Sequence, residues 1–185
     1  MKGASPAPSA LRRAQIAVAG GGTCSRRTAA LARALGRELA AAGAIVVCGG
    51  LGGVMASVAR GAAEHGGTVV GILPGYERAR GNRWLAVAVP SGLGHARNVL
   101  VAAAGDVLVA LPGEQGTLSE IALARVLGRP VVVLGAWNEL RGVTRARTAR
   151  EAAARAVSLA TARPRTTASG DAVVPRRLAR RRRRA

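Results

Sequence analysis

The sequence predicts a single α/β domain in three layers on a mainly parallel sheet, and three observations predict it. First, short, continuously apolar strands alternate with stretches of helical spacing, as in "AIVVCGGLGGVMASVARGAAEHGGTVVGILPG". Strands covered by helices on both faces lose the in–out alternation of a half-exposed sheet and read as plain apolar runs. Second, the glycine-rich turns fall at the carboxyl ends of those strands, where such sheets bind ligands. Third, 185 residues that are 49% hydrophobic leave room for one substantial core. With no Phe, one Tyr and two Trp, that core must be built from Ala, Val, Leu and Ile.

Residues 1–13 are small, Pro-containing and basic, and are expected to form a flexible arm. "QIAVAGGGTCS" is a short strand broken by three glycines. The helix after it, "RRTAALARALGRELAAAG", carries Leu31, Leu35 and Leu39 on one face and ends at Gly43. "AIVVCGGLGG" and the helix to Gly66 repeat that plan, and "TVVGILPG" is a third strand. A polar loop, "YERARGN", leads to "WLAVAVP", and "SGLG" introduces a helix from about His95 to Ala104. "DVLVALPG", a helix from Thr117 to Leu127 and "GRPVVVLG" follow. Beyond Trp137 the pattern is less legible, although "RTAREAAARAVSLA" reads as a final helix starting near Thr148. The domain therefore spans 14–162, and 163–185 is expected to be a disordered, Arg-rich tail.

Three glycine turns share one predicted edge of the sheet: Gly20-Gly21-Gly22-Thr23, Gly49-Gly50-Leu51-Gly52-Gly53, and Gly113 to Thr117, which includes Gly116. A strand, a glycine turn and a helix start together present backbone N–H groups and a positive dipole end to an anion. The pattern favours a phosphate-bearing ligand. No Gly-Lys-Ser/Thr follows any of the turns, and the first lacks G-x-G-x-x-G with a later acid, which disfavours an ATPase and an ordinary dinucleotide site. Glu120 has two roles open to it. Thr117-Leu118-Ser119-Glu120 fits a capping box with Thr117 as the N-cap, and the same carboxylate also borders the proposed anion site. Arg97, in "SGLGHARN", is either a solvated helix-face arginine or a ligand contact. His95, Asn98 and Asp106 read as structural.

Charge and cysteines exclude other classes. Of 28 Lys+Arg, 14 lie in residues 1–140 against 7 acids, and 14 in 141–185 against 2, so the net +19 sits largely in the C-terminal stretch 141–185, which ends "PRRLARRRRRA". The tail is expected to bind polyanions nonspecifically at most. Cys24 and Cys48 lack metal-ligand spacing, so no metal site is expected and both read as thiols of a reduced compartment. No apolar run is long enough to span a membrane and no signal peptide is evident, which points to the cytoplasm and no membrane partner.

"VVCGGLGGVMASVARGAAEHGGTVVGILPG", "SGLGHARN" and "LPGEQGTLSEIALARVLGRPV" resemble, in order and spacing, the Rossmann-like superfamily of the LONELY GUY (LOG), or lysine-decarboxylase-like, phosphoribohydrolases. They look closest to its bacterial branch with the molybdenum-cofactor carrier proteins, which is distantly related to the DNA-processing protein DprA. The similarity covers about residues 14–137. The family fingerprint, an Arg followed by P-G-G-x-G-T-x-x-E, falls on Arg97 and on Pro112 to Glu120. The resemblance implies that the loop binds a 5′-phosphate and that Arg97 and Glu120 serve cleavage of an N-glycosidic bond. A carboxylate facing an oxocarbenium-like ribose suits that chemistry. One position departs: Glu114 replaces the second glycine, which strains the turn if φ is positive there and repels phosphate if its side chain points inward.

The first functional reading is therefore binding or carrying a small phosphorylated nucleotide-like or molybdopterin-like ligand. The second is hydrolysis of a nucleoside 5′-monophosphate to base and ribose 5-phosphate, which requires no cofactor. The third is association with nucleic acid through the tail, disfavoured by the scarcity of aromatic stacking platforms. By analogy with the superfamily, a homo-oligomer is expected.

Overall fold

The computed structural model describes residues 13–162; the expected arm and Arg-rich tail otherwise lie outside the described residues. The elements run β1 (Gln15–Ala19), α1 (Arg26–Ala41), β2 (Ile45–Cys48), α2 (Gly53–Ala63), β3 (Thr68–Leu73), β4 (Val87–Pro90), α3 (Asn98–Ala104), β5 (Val107–Ala110), α4 (Gln115–Val126), β6 (Val131–Leu134), β7 (Thr144–Ala146) and α5 (Ala149–Ala162). Short 3-10 turns at Arg78–Arg80 and Gly94–Arg97 precede β4 and α3.

The seven strands form one sheet in the order β4-β3-β2-β1-β5-β6-β7, and every pairing is parallel. Helices cover both faces. Ile16 and Val18 of β1 point into a core shared with Leu35 and Leu39 of α1, Val54 and Val58 of α2, and Ala152 and Ala156 of α5. The alternate residues Ala17 and Ala19 point to the other face, with Val101 of α3 and Ile121 of α4. This is the three-layer, Rossmann-like arrangement expected from the apolar runs. The strand order reverses at β1, whose neighbours are β2 and β5, so a crevice opens above the carboxyl ends of β1 and β5.

Local chemistry accounts for the helix ends. The Ser25 hydroxyl accepts the Thr28 N–H at 3.1 Å and caps α1. Thr148 caps α5, accepting the Glu151 N–H at 3.1 Å, close to the start the sequence indicates. The segment expected as one helix from His95 instead begins as a 3-10 turn at Gly94–Arg97 and becomes α-helical only at Asn98. β7 was not legible in the sequence. Its three residues, Thr-Arg-Ala, carry little strand signal and owe their conformation to pairing with β6.

Helices α1 and α2 meet through glycine. A Cβ on Gly61 would lie 2.7 Å from the carbonyl carbon of Arg33, and one on Gly36 would lie 2.8 Å from the Ala62 nitrogen. Gly61→Val is therefore expected to force the two backbones apart at a cost of about 3 kcal/mol. A urea midpoint within error of the parent would refute that account.

Candidate functional site

The crevice at the switch point is a cleft of about 620 Å³ between the β1–α1 turn and the β5–α4 turn. The two turns are tied together: the Gly21 N–H donates to Pro112 O at 3.1 Å, and Gly21 O accepts the Val54 N–H at 3.0 Å. Gly113 packs against Thr117 Oγ1, and a Cβ there would also come within 2.8 Å of the Gly21 nitrogen. Glycine is required at this crossing because three backbone segments meet where no side chain fits.

Most of the residues singled out in the sequence converge here. Gly20, Gly21, Gly22, Thr23, Arg97, Gly113, Gly116, Thr117 and Glu120 line the cleft. The second glycine turn is placed differently. Of its residues only Leu51 lines the cleft, and Gly49, Gly50, Gly52 and Gly53 do not. Gly50 and Gly53 have φ of +72° and +58°, so they serve the turn's left-handed backbone. Gly49 lies directly beneath Arg97: a Cβ there would sit 2.7 Å from the guanidinium carbon.

Arg97 is not a solvated helix-face residue. The 3-10 turn directs it inward, where it is 8% exposed, and Nη1 stands 3.4 Å from Oε1 of Glu120, which is 6% exposed. The pairs Arg33–Glu64, Arg37–Glu38, Arg60–Glu64 and Arg155–Glu151, by contrast, lie at the surface. Arg97 Nε is buried without a hydrogen-bond partner in the structure. Burial pushes the Glu120 carboxyl up to about 7, against the lowering pull of Arg97. The site thus holds a cation whose hydrogen bonding is incomplete beside a carboxyl whose burial favours its protonated form.

The capping box does not form. Helix α4 starts at Gln115 with Glu114 as its N-cap and no side-chain cap bond, so Thr117 falls within the first turn and Glu120 in the second. Leu118 N–H, donating to Glu114 O at 3.0 Å, makes the first helical bond. The preceding N–H groups of that turn have no helical carbonyl to pair with and flank the cleft. Glu114 has φ −116°, extended backbone open to any residue, and its side chain is exposed. The strain expected of a left-handed position does not arise.

Other residues join the site that the sequence left as structural or silent. Asn98 donates to Ser119 Oγ at 2.8 Å and to Gly116 O at 3.4 Å, fastening α3 to the start of α4. Cys24, Ser25, Thr28, Met55 and His95 line the cleft. Their only sequence signal was proximity to a glycine turn. Cys48 is buried at the end of β2 and burial raises its thiol to about 11, so it is a packing residue. Asp106 accepts the Gln15 N–H at 2.9 Å and is structural, as read. Among the described residues no group of three or more His, Cys, Asp or Glu could hold a metal, and no helix is long and apolar enough to cross a membrane.

Known proteins share this fold. The model of the SLOG cluster4 family matches residues 13–164. An uncharacterized protein of Archaeoglobus fulgidus is 40% identical over 120 residues, which is 65% of this chain and 79% of that protein. The molybdenum cofactor binding protein of Rippkaea orientalis superposes with a TM-score of 0.78 at 30% identity, covering 81% of this chain and 99% of that one. The molybdenum cofactor carrier protein of Chlamydomonas reinhardtii gives 0.74 at 33% identity, with the same coverages of 81% and 99%.

Proposed function

The chain belongs to the SLOG cluster4 family, and from that premise we propose that its cleft binds and carries a small phosphorylated ligand of the molybdopterin type. The observation that carries the reading is the likeness over 99% of their length to two proteins that bind or carry the molybdenum cofactor. The cleft suits such a cargo. Its volume of about 620 Å³ is within the range of small-ligand pockets. The first-turn N–H groups of α1 and α4 offer donors for a phosphate, and the incompletely bonded Arg97 guanidinium offers a further donor to an anionic or carbonyl oxygen. The test is loading of purified protein with molybdopterin, followed by denaturation, oxidation and pterin fluorescence. Uptake near one equivalent per cleft is expected; fluorescence no higher than in a bovine albumin control would overturn the reading.

A second reading has its own observation. The buried Arg97–Glu120 pair, on the LOG-type positions, is an arrangement that could stabilise an oxocarbenium-like ribose while holding the substrate. Under it, AMP is hydrolysed to adenine and ribose 5-phosphate. The carboxylate is the active form, so the rate should rise with pH through about 7 and vanish in Glu120→Gln. Adenine release measured between pH 5 and 9 decides it. A rate that survives in the variant excludes the pair from catalysis.

A further inference from the structure

Trp137 carries the clearest backbone anomaly in the protein. Its φ is +65°, and it is the one non-glycine residue with positive φ among the described residues. A bulky aromatic side chain in that region is a genuine outlier and persists only where the surroundings hold it. They do so here. The turn between β6 and β7 is closed by the Leu140 N–H donating to Trp137 O at 3.2 Å. From β7, the Arg145 guanidinium donates twice to Asn138 O, at 2.9 and 2.7 Å.

What the strained turn delivers is one hydrogen bond. The Trp137 indole N–H donates to the backbone oxygen of Leu111 at 2.8 Å. Leu111 is fully buried and immediately precedes the Pro112–Thr117 segment that walls the cleft. Its own N–H is bonded to Ala19 O of β1 at 2.9 Å. Leu111 is thus held from both sides of β5, by β1 through its N–H and by the indole through its carbonyl. One residue on, Pro112 O takes the Gly21 N–H, and the Pro112 ring packs 3.7 Å from where a Cβ on Gly135 would stand. The β6–β7 turn therefore touches the root of the ligand-facing turn without lining the cleft.

We infer that Trp137 is a positioning residue, latching Leu111 so that the turn 112–117 holds its binding geometry before any ligand arrives. The inference rests on the reading of this cleft as the ligand site. Preorganisation of this kind acts on affinity by removing the cost of ordering a loop on binding. The indole also supplies the side-chain donor to the buried Leu111 carbonyl, a group that is expensive to leave unpaired.

The test compares amide hydrogen exchange in the full chain, free of ligand, for the parent and Trp137→Phe, which keeps an aromatic ring and loses the donor. Exchange of the hydrogen-bonded amides around the latch, Leu111, Leu118 and Gly21 (which donates to Pro112 O), is expected to accelerate about tenfold, with those of β1 and β2 unchanged. Arg145→Gln loosens the same turn from its far end without touching Leu111, and should accelerate the same amides less. It also serves if the first variant does not fold. Unchanged exchange at Leu111, Leu118 and Gly21, or a uniform rise across β1 and β2 as well, overturns the latch and leaves Trp137 an ordinary packing residue. Orthophosphate titration of the same proteins is the second readout, with weaker binding expected in the variants. If the parent binds no phosphate, the proposed ligand chemistry fails, while the exchange result still decides the latch.

Discussion

Glu120→Gln is expected to abolish the loss of stability that the parent shows as pH rises from about 4.5 through 7, a difference on the order of a few kcal/mol between the two pH dependences. The carboxyl titrates near 7 in the folded protein against an ordinary 4.5. A folded acid with a raised pKa binds more protons than the unfolded chain between those values, so stability falls as pH rises from about 4.5 through 7 and then levels off. The cause is burial: removing the carboxylate from water costs more than the attraction of Arg97 at 3.4 Å returns. Gln keeps the shape and cannot ionise. The surface carboxyls Glu64, lowered by the Arg60 and Arg33 side chains, and Glu151, lowered by the Arg147 N–H and the Arg155 side chain, contribute the opposite slope, but equally in parent and variant. Urea unfolding of both proteins from pH 4 to 9 isolates Glu120 as the difference curve. A loss of stability in the variant at pH 8 would mean that the pair is net favourable and the burial argument is wrong. A gain would mark Glu120 as a residue kept at the expense of stability, as site residues often are.

Gly49→Ala should weaken ligand binding strongly while leaving the fold intact. The added Cβ would fall 2.7 Å from the Arg97 guanidinium carbon, so the guanidinium must move by about 1 Å to reach ordinary contact. A displacement of that size in a positioned group costs on the order of 100-fold, which is the loss expected in molybdopterin affinity, or in adenine release under the second reading. Folding should survive: Gly49 is not among the residues with positive φ, and the guanidinium is the end of a flexible side chain. Isothermal titration together with thermal unfolding separates the two effects. Parental affinity in a folded variant would show that Arg97 does not hold the ligand.

Much of this was written in the chain. The apolar runs around Val47, Val70, Leu108 and Val132 read as strands buried on both faces, and the helical spacing between them argued for a mainly parallel sheet. That logic also put the glycine turns on one edge, because ligand-facing turns follow the carboxyl ends of parallel strands. The sequence by itself therefore determined the fold class and the sheet edge along which the candidate cleft lies. It could not separate two roles for one residue. Thr117-Leu118-Ser119-Glu120 satisfies a capping pattern, yet the helix starts two residues earlier, because Gly113 closes against Gly21 and Thr117 and leaves Glu114 as the cap residue. For Arg97 the residue pattern left a solvated helix face and a ligand contact both open, until the turn at Gly94 carried it over Gly49 and against Glu120. The Gly49–Gly53 turn had the composition of a phosphate loop and became a support. Trp137 reaches Leu111 across 26 residues of sequence. Each of these depends on backbone segments meeting in space. Periodicity and composition report on one element at a time, so burial, pKa and contact at the site were decided only by tertiary structure.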